Sequence, residues 1–525
     1  MDAMGGRGVR NLVVTLVSVL SVPVAAQPLA AAQPSQIRVP TLGAMASAGQ
    51  LAAPRLTWRD CSTALSPTKQ CAWLRVPRRY DRPDGPTVRI VLARIPATGS
   101  SRQRIGSLVW DAGGPGGIST GIVAEMADRM STQVRKRFDF VAFDPRGIGE
   151  SRPALRGCDQ PWPVRPALNP LPVWRAVHDR FADVVRTGNR ACLEDNQRIA
   201  AVMGTNNVAR DLDRIRAALG DRKLTFWATS YGTRIGYVYA LRYPQRVRAM
   251  VMDGSIDPTA GFPALPLVGG TSQDVAFRFI RANQRPLYRT VIRTAAQLTA
   301  HPIRLNDGRR FTRWNWLDVV GDLIGFQDAW ANVPAIAHLV GTARQADSEG
   351  FEARIVLADH VMDRPNSNVG AGFSVVNCVD YARRLSSRQR IDDVVANARR
   401  SPVFGGTLTL LYGSGCIGLD ALGPDPIPLV KTASQRARVA AVPVLLANAT
   451  HDAATPMKWA KRMQRVFGRP MIRYRGTQHI IWRATRSPCV NQPIDKFVVS
   501  GKIPRRDRTC AFVEPAQAAA SLAGR

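Results

Sequence analysis

A chain of 525 residues with 45% hydrophobic and 21% charged residues, 42 Gly and 37 Pro has an ordinary globular composition, which excludes collagen-like, coiled-coil and wholly disordered chains. The formal charge of +33, from 72 Lys+Arg against 39 Asp+Glu, is large enough to raise nucleic acid as a partner. Only eight of these basic residues are Lys, however, and the arginines are scattered without a long basic run, a zinc-finger spacing or an aromatic RNP-like strand. No nucleic acid is therefore expected, and electrostatic association with an anionic envelope polymer or lipid surface is the partner the charge leaves open.

Arg7 and Arg10 precede an apolar stretch from Leu12 to Ala26 that is interrupted by Thr15, Ser18, Ser21 and Pro23 and ends in Val24-Ala25-Ala26. This pattern predicts a secretory signal peptide over 1–26. A cut near Ala32 and an uncleaved N-terminal anchor are the alternatives. No later segment carries the roughly eighteen uninterrupted apolar residues that a membrane-spanning helix needs, so an exported chain, periplasmic or secreted, is expected. Residues 27–55, rich in Ala, Pro, Gln and Ser, are expected to form a flexible leader. The eight cysteines fit an oxidising compartment and a disulfide framework, for which the pairing of sequence neighbours, Cys61 with Cys71, Cys158 with Cys192, Cys378 with Cys416, and Cys489 with Cys510, is one of about 105 connectivities the count allows. None lies in a metal-like C-x-x-C pair, and no metal site is expected.

From Val88 onward, short apolar runs alternate with amphipathic stretches. Val88–Ile95, Ser107–Asp111, Phe138–Phe143, Leu224–Thr229 and Val247–Met252 are predicted as buried strands, with helices at Asn206–Leu219 and Thr233–Tyr243. Such alternation predicts an α/β fold with a mostly parallel sheet covered on both faces. From about Pro258 to Pro402 the spacing turns helical, and its aromatics Trp314, Trp316, Phe326 and Trp330 fit a core better than a binding surface. Strand pattern returns at Val442–Ala447, followed by a helix over Thr455–Phe467 and a strand over Met471–Tyr474. A parallel sheet interrupted by helices and then resumed is the outline of a capped hydrolase.

The strand Leu224–Thr229 runs directly into Ala228-Thr229-Ser230-Tyr231-Gly232 and a helix, the context of a nucleophile elbow, in which a sharp turn exposes the serine hydroxyl. Ser230 is accordingly the candidate nucleophile. Its oxyanion would need backbone donors, and the glycine-rich Asp111-Ala112-Gly113-Gly114-Pro115-Gly116-Gly117 after an earlier strand can present them, with Gly114 and Tyr231 as the candidate amides. A phosphate loop is the bland alternative, but no Gly-Lys-Ser/Thr follows. Of six histidines, His178 precedes the serine and His301, His338 and His360 fall in the helical stretch; His479, after the strand Met471–Tyr474, is the candidate base. Asp452 after Val442–Ala447 is the candidate acid, able alternatively to cap the helix near Thr455, and Asp253 is the fallback.

Gly-Gly-Pro-Gly-Gly at 113–117, Phe143-Asp144-Pro145-Arg146-Gly147 with Gly149 and Ser151, Ser230-Tyr231-Gly232-Thr233, Asp452 with Thr455-Pro456, and His479 occur in this order. Over about 56–510 the chain resembles the secreted tripeptidyl and prolyl aminopeptidase-like family of α/β-hydrolases, including a tripeptidyl-aminopeptidase-type C-terminal segment with Cys378, Cys416 and Cys489. Ala228 in the elbow and Gln478 before the histidine depart from the family pattern. The resemblance implies peptide substrates and release of residues from a free N-terminus through an acyl-enzyme on Ser230; an esterase or amidase with the same triad is the alternative. No cofactor is implied. Asp144 and Arg146 are expected as a buried ion pair with each other, outside the site.

The expected organisation is a signal peptide (1–26), leader (27–55), first hydrolase segment (56–257), helical cap (258–402), second hydrolase segment (403–510) and tail (511–525). A cap closing one end of the cleft calls for a carboxylate facing the substrate ammonium, and Asp380, two residues after Cys378, is the candidate anchor; a solvated charge beside Arg383 and Arg384 is its alternative.

Overall fold

The computed structural model describes residues 56–64, 66–158, 174–261, 264–304, 310–342 and 369–515. The signal peptide, the leader, His360 and the end of the tail lie outside the described residues. Twelve strands are present among the described residues: β1 (Arg59–Asp60), β2 (Gln70–Pro77), β3 (Thr87–Ile95), β4 (Gly106–Asp111), β5 (Phe138–Phe143), β6 (Leu224–Thr229), β7 (Val247–Asp253), β8 (Ile303–Arg304), β9 (Arg310–Phe311), β10 (Val444–Ala449), β11 (Met471–Tyr474) and β12 (Arg508–Cys510). Ten of them form one sheet in the order β1-β2-β3-β5-β4-β6-β7-β10-β11-β12, while β8 and β9 make a separate two-stranded ribbon.

The first strands of the sheet pair antiparallel, β1 with β2, β2 with β3 and β3 with β5, and from β5 to β12 every pairing is parallel. The parallel strands β4, β5, β6 and β10 are buried along their whole length, as continuous apolar runs covered on both faces require. One face packs on the helices Thr205–Ala218, Gly232–Arg242 and Met457–Phe467. The other packs on Val123–Asp128, Thr132–Arg137 and Pro488–Ser500. At the centre of this second layer Trp227 meets Trp482 edge-on at 4.9 Å between ring centroids, and Trp110 lies 5.9 Å from Trp227.

Three sheet strands were not expected, the two-residue β1 among them. β2 alternates buried and exposed residues because only one of its faces is covered, and β12 is only three residues long, so neither has the apolar run that marks the central strands. Small shifts occur at β10, which runs two residues further than Val442–Ala447 predicts, and at the following helix, which starts at Met457 behind Pro456.

Between β7 and β10 the described residues are mainly helical apart from the ribbon β8–β9, with helices Ala264–Asn283, Arg285–Ala300, Arg313–Leu323, Asn332–Thr342, Val369–Asp380, Ser387–Arg400 and Gly405–Ser414. Helical packing therefore continues past residue 402, where the second hydrolase segment was expected to begin. Thr409 Oγ1 donates to Pro266 O at 3.2 Å and accepts from Asn397 Nδ2 at 2.7 Å, which binds the last of these helices to two earlier ones. Trp316 and Trp330 fill an apolar cluster belonging to this layer, together with Phe277, Val320 and Ile336. The helix Trp174–Ala200, from outside the insertion, joins it through Phe181 and Val185 against Val394 and Leu410, and through His178 Nε2, which accepts from Arg390 Nε at 3.2 Å.

Disulfides join Cys61–Cys71, Cys158–Cys192, Cys378–Cys416 and Cys489–Cys510, each a pair of sequence neighbours. Among the described residues no helix is long and apolar enough to cross a membrane.

Candidate active site

The turn from β6 into the helix Gly232–Arg242 places Ser230 at φ 52°, a left-handed conformation that a serine adopts only when its surroundings impose it. Here they do. Ser230 N donates to Asp253 O at 2.9 Å, Ser230 O accepts from Thr233 N at 3.0 Å and Thr233 Oγ1 at 2.6 Å, and the Thr229 hydroxyl donates to Asp111 O. A side chain at Gly232 would begin 2.9 Å from Asp111 Oδ1, so glycine is required there. Ala228 is accommodated by a second glycine one helical turn on: a Cβ at Gly236 would lie 3.3 Å from the Ala228 methyl. The departure from the family elbow thus has a local compensation.

The glycine-rich loop after β4 lies against this turn. A Cβ at Gly113 (φ +87°) would sit 2.9 Å from Ser230 Cβ and 3.2 Å from Tyr231 N, an approach only glycine permits. This contact brings the 113–114 backbone and the Tyr231 amide to one side of Ser230. Among the described residues neither the Gly114 nor the Tyr231 amide has a hydrogen-bond partner, which leaves both free for a developing oxyanion.

Asp452 and His479 meet directly: His479 Nδ1 is 3.0 Å from each carboxylate oxygen of Asp452. The same carboxylate also accepts from Ala454 N and Thr455 N at 2.8 Å each and from Thr455 Oγ1 at 3.0 Å. The carboxylate thus closes the bend ahead of the helix Met457–Phe467 while it holds the histidine; that helix is entered at Pro456 without a side-chain cap, so Asp452 is the histidine's partner and not the helix cap. Burial pushes the His479 pKa down, but the charge and hydrogen bond of Asp452 outweigh it and the net shift is upward. With Nδ1 donating to Asp452, Nε2 is left as the proton acceptor. Ser230 Oγ makes no hydrogen bond among the described residues; an apo catalytic contact is commonly long and tightens with substrate.

Asp253, the fallback acid, does something else. Its carboxylate accepts from Ile481 N and Trp482 N at 2.8 Å each, while its carbonyl receives Ser230 N. One residue at the end of β7 therefore ties the elbow to the histidine loop, whose Ile480 and Arg483 stand at φ 65° and 62°. The cap holds the same loop from the other side. His479 N donates to Gly325 O at 2.6 Å, Thr477 Oγ1 to Ile324 O at 3.0 Å, and Gln327 N to Gln478 Oε1 at 2.9 Å, while Phe326 packs edge-on against the His479 ring. Gln478, the second departure from the family pattern, is thus a tie between histidine loop and cap. No sequence signal near 324–327 beyond the aromatic Phe326 pointed to this contact.

Two expectations are corrected. Asp380 is fully buried, its carboxylate 3.0 Å from Arg234 Nη1 and accepting from Thr205 N at 2.7 Å and Thr205 Oγ1 at 2.5 Å. With its charge matched internally it neither faces a substrate ammonium nor lies on a solvated helix face; it clamps the cap helix Val369–Asp380 to the elbow helix. Asp144 and Arg146 are both buried but do not pair with each other. Arg146 forms a two-pronged pair with Asp211 at 2.6 and 2.7 Å, and Asp144 accepts from Ser119 N, Thr120 N and Thr120 Oγ1 at 2.9 Å each and from Glu150 N at 3.1 Å. Among the described residues no group of three or more His, Cys, Asp or Glu is placed to hold a metal ion.

A serine on a strained strand-to-helix turn, a free pair of amides and a buried Asp–His pair at successive strand ends define an α/β-hydrolase, and a family model for the alpha/beta hydrolase fold matches residues 112–481. The chain belongs to that family and is a serine hydrolase. It is 30% identical over 511 residues to serine protease Hip1 of Mycobacterium tuberculosis, covering 88% of this chain and 92% of that protein. It is 29% identical over 503 residues to a tripeptidyl aminopeptidase of Streptomyces lividans, covering 89% of each. Carboxylesterase B of Mycobacterium tuberculosis is 29% identical over 530 residues, covering 93% of this chain and 95% of that protein.

Proposed function

We propose that this protein is an exported aminopeptidase-type serine peptidase that removes short peptides from a free N-terminus. The observations that support the chemistry are the Asp452–His479 pair and a strained, partly exposed Ser230, whose amide donates to Asp253 O, one residue before Gly254, where a Cβ would lie 3.0 Å from His479 Cε1. Ser230 Oγ attacks the scissile carbonyl as its proton passes to His479 Nε2, and Asp452 stabilises the imidazolium. The tetrahedral oxyanion is received by the Gly114 and Tyr231 amides. His479 then returns the proton to the leaving amine, and water activated by the same imidazole releases the acyl group. Peptide substrates are favoured by the serine protease and tripeptidyl aminopeptidase among the relatives, and export by four disulfides. The large positive charge suits retention at an anionic envelope surface.

An esterase reading has its own support in the carboxylesterase relative, which covers more of this chain than the peptidases do. Paired tripeptidyl substrates with free and acetylated N-termini separate the two readings. An aminopeptidase loses at least about tenfold in kcat/KM on acetylation, for each roughly 1.4 kcal/mol of recognition removed. Equal cleavage of both, with faster turnover of acyl esters, would establish the esterase instead.

A further inference from the structure

The most unusual group beside the site is Asp111, at the end of β4. It is fully buried; Oδ1 accepts from Gly113 N at 2.9 Å and Oδ2, also buried, has no hydrogen-bond partner. Oδ1 is also the atom that a Cβ at Gly232 would strike, so the carboxyl is wedged between the glycine-rich loop and the head of the elbow helix. Resting on the reading of Ser230 as nucleophile, we propose that Asp111 is a positioning residue of the acyl-transfer step, which as the neutral acid fixes the Gly113–Gly114 edge of the oxyanion site and on ionising opposes the oxyanion with a second buried negative charge.

The surroundings favour the neutral form. Asp144 faces Asp111 from the loop after β5, and the Tyr231 phenol faces it from the head of the elbow helix; neither supplies a compensating cation. Arg234, beyond Tyr231, is committed to Asp380. The two carboxyls divide by environment. Burial raises both, but at Asp144 four accepted hydrogen bonds oppose it, whereas Asp111 accepts one and among the described residues leaves an oxygen bare. Burial is the largest influence on Asp111 and raises its pKa to about 7, against the lowering effect of the Gly113 amide. With the proton on Oδ2, Oδ1 remains a carbonyl acceptor for Gly113 N–H, so the loop keeps its tie while the site stays neutral.

The test is the rate of Ser230 labelling by a fluorophosphonate on the full-length disulfide-bonded chain between pH 5.5 and 9.5, alongside Asp111→Asn, Asp111→Ser and Asp253→Asn. The native chain is expected to rise through the His479 titration and then fall by up to about tenfold per pH unit above the Asp111 pKa. Asp111→Asn, which keeps an acceptor for Gly113 N–H and cannot ionise, is expected to retain the rise and abolish the fall; Asp111→Ser serves the same purpose if the amide variant does not fold. No falling limb in the native chain, or one that persists in the foldable Asp111 variant, overturns the proposal. A fall abolished only by Asp253→Asn assigns it to that carboxyl and also overturns it. Labelling that survives Ser230→Ala instead removes the nucleophile assignment, an outcome distinct from all of these.

Discussion

The nucleophile and the base are held by different parts of the molecule. The backbone of Ser230 and Thr229 is tied by the sheet and the helix that follows, through Asp253 O, Thr233 and Asp111 O, and the cap meets this region through Asp380, which pairs with Arg234 and, by way of Thr205, reaches the Tyr231 hydroxyl. The histidine loop takes one set of ties from the sheet, through Asp452 and Asp253, and a second from the cap, through Ile324, Gly325 and Gln327. The base is held directly by the inserted helical segment, so a change there reaches His479 through these bonds and reaches Ser230 by way of the Asp380–Arg234 clamp on the elbow helix.

The largest expected effect lies on the nucleophile's side. Ser230→Ala removes a hydroxyl that makes no hydrogen bond and leaves the turn's backbone ties untouched, so turnover should fall by about 10⁴ to 10⁶ while thermal unfolding stays within roughly 0.5 kcal/mol of the parent. Steady-state kinetics and a melting curve on the same preparation check both. Retained turnover with an unchanged melt would remove Ser230 from the mechanism.

Asp452→Asn comes next and acts on the base. Loss of the carboxylate removes the stronger of the two groups that raise the His479 pKa and leaves burial, the largest influence and a lowering one, opposed only by the charge of Asp253. Because the base must be neutral to accept a proton, kcat/KM of the native enzyme rises as pH passes upward through a histidine pKa displaced above 6.5. In the variant that limb should move to lower pH while kcat drops by about 10⁴, as the amide favours the wrong imidazole tautomer. A limb that stays in place under this substitution would mean that another group controls the pH dependence.

The central strands, the strained turn at Ser230 and the meeting of Asp452 with His479 were legible because each rests on local information: an unbroken apolar run, or a motif at the end of one. Phe138–Phe143, Leu224–Thr229 and Met471–Tyr474 have the same bounds in structure and sequence pattern. Charge partnerships were not legible. Asp144 and Arg146 stand two residues apart and ignore each other, since the buried guanidinium finds Asp211 from the helix Thr205–Ala218. Asp380 looks solvated beside Arg383 and Arg384, yet its partner is Arg234 in the elbow helix. A buried charge must find its counterion wherever the fold brings one, and sequence proximity carries no such information. Gln478 looked like a bare departure from a pattern for the same reason: its partner, Gln327, comes from the cap.

The smallest expected effect tests that cap contact. Gln478 Oε1 accepts from the Gln327 amide, and its Nε2 donates to His479 O at 2.9 Å, so Gln478→Ala strips two hydrogen bonds from a buried joint and leaves the Gln327 N–H without a partner. An unsatisfied buried amide costs about 1–3 kcal/mol. The ties of His479 N to Gly325 O and of Thr477 Oγ1 to Ile324 O remain, so the loop should loosen without leaving its place. If the cap steadies the base, the loss appears in kcat, by roughly tenfold for each 1.4 kcal/mol, with KM little changed. Thr233→Val, which removes the hydroxyl that donates to Ser230 O and accepts from Ile256 N and touches no residue of the histidine loop, is the control: it should weaken turnover without moving the histidine-controlled limb of the pH profile, whereas Gln478→Ala should move it. A rise in KM alone for Gln478→Ala would show that this joint serves substrate binding, and the division between a core-held nucleophile and a cap-steadied base would fail.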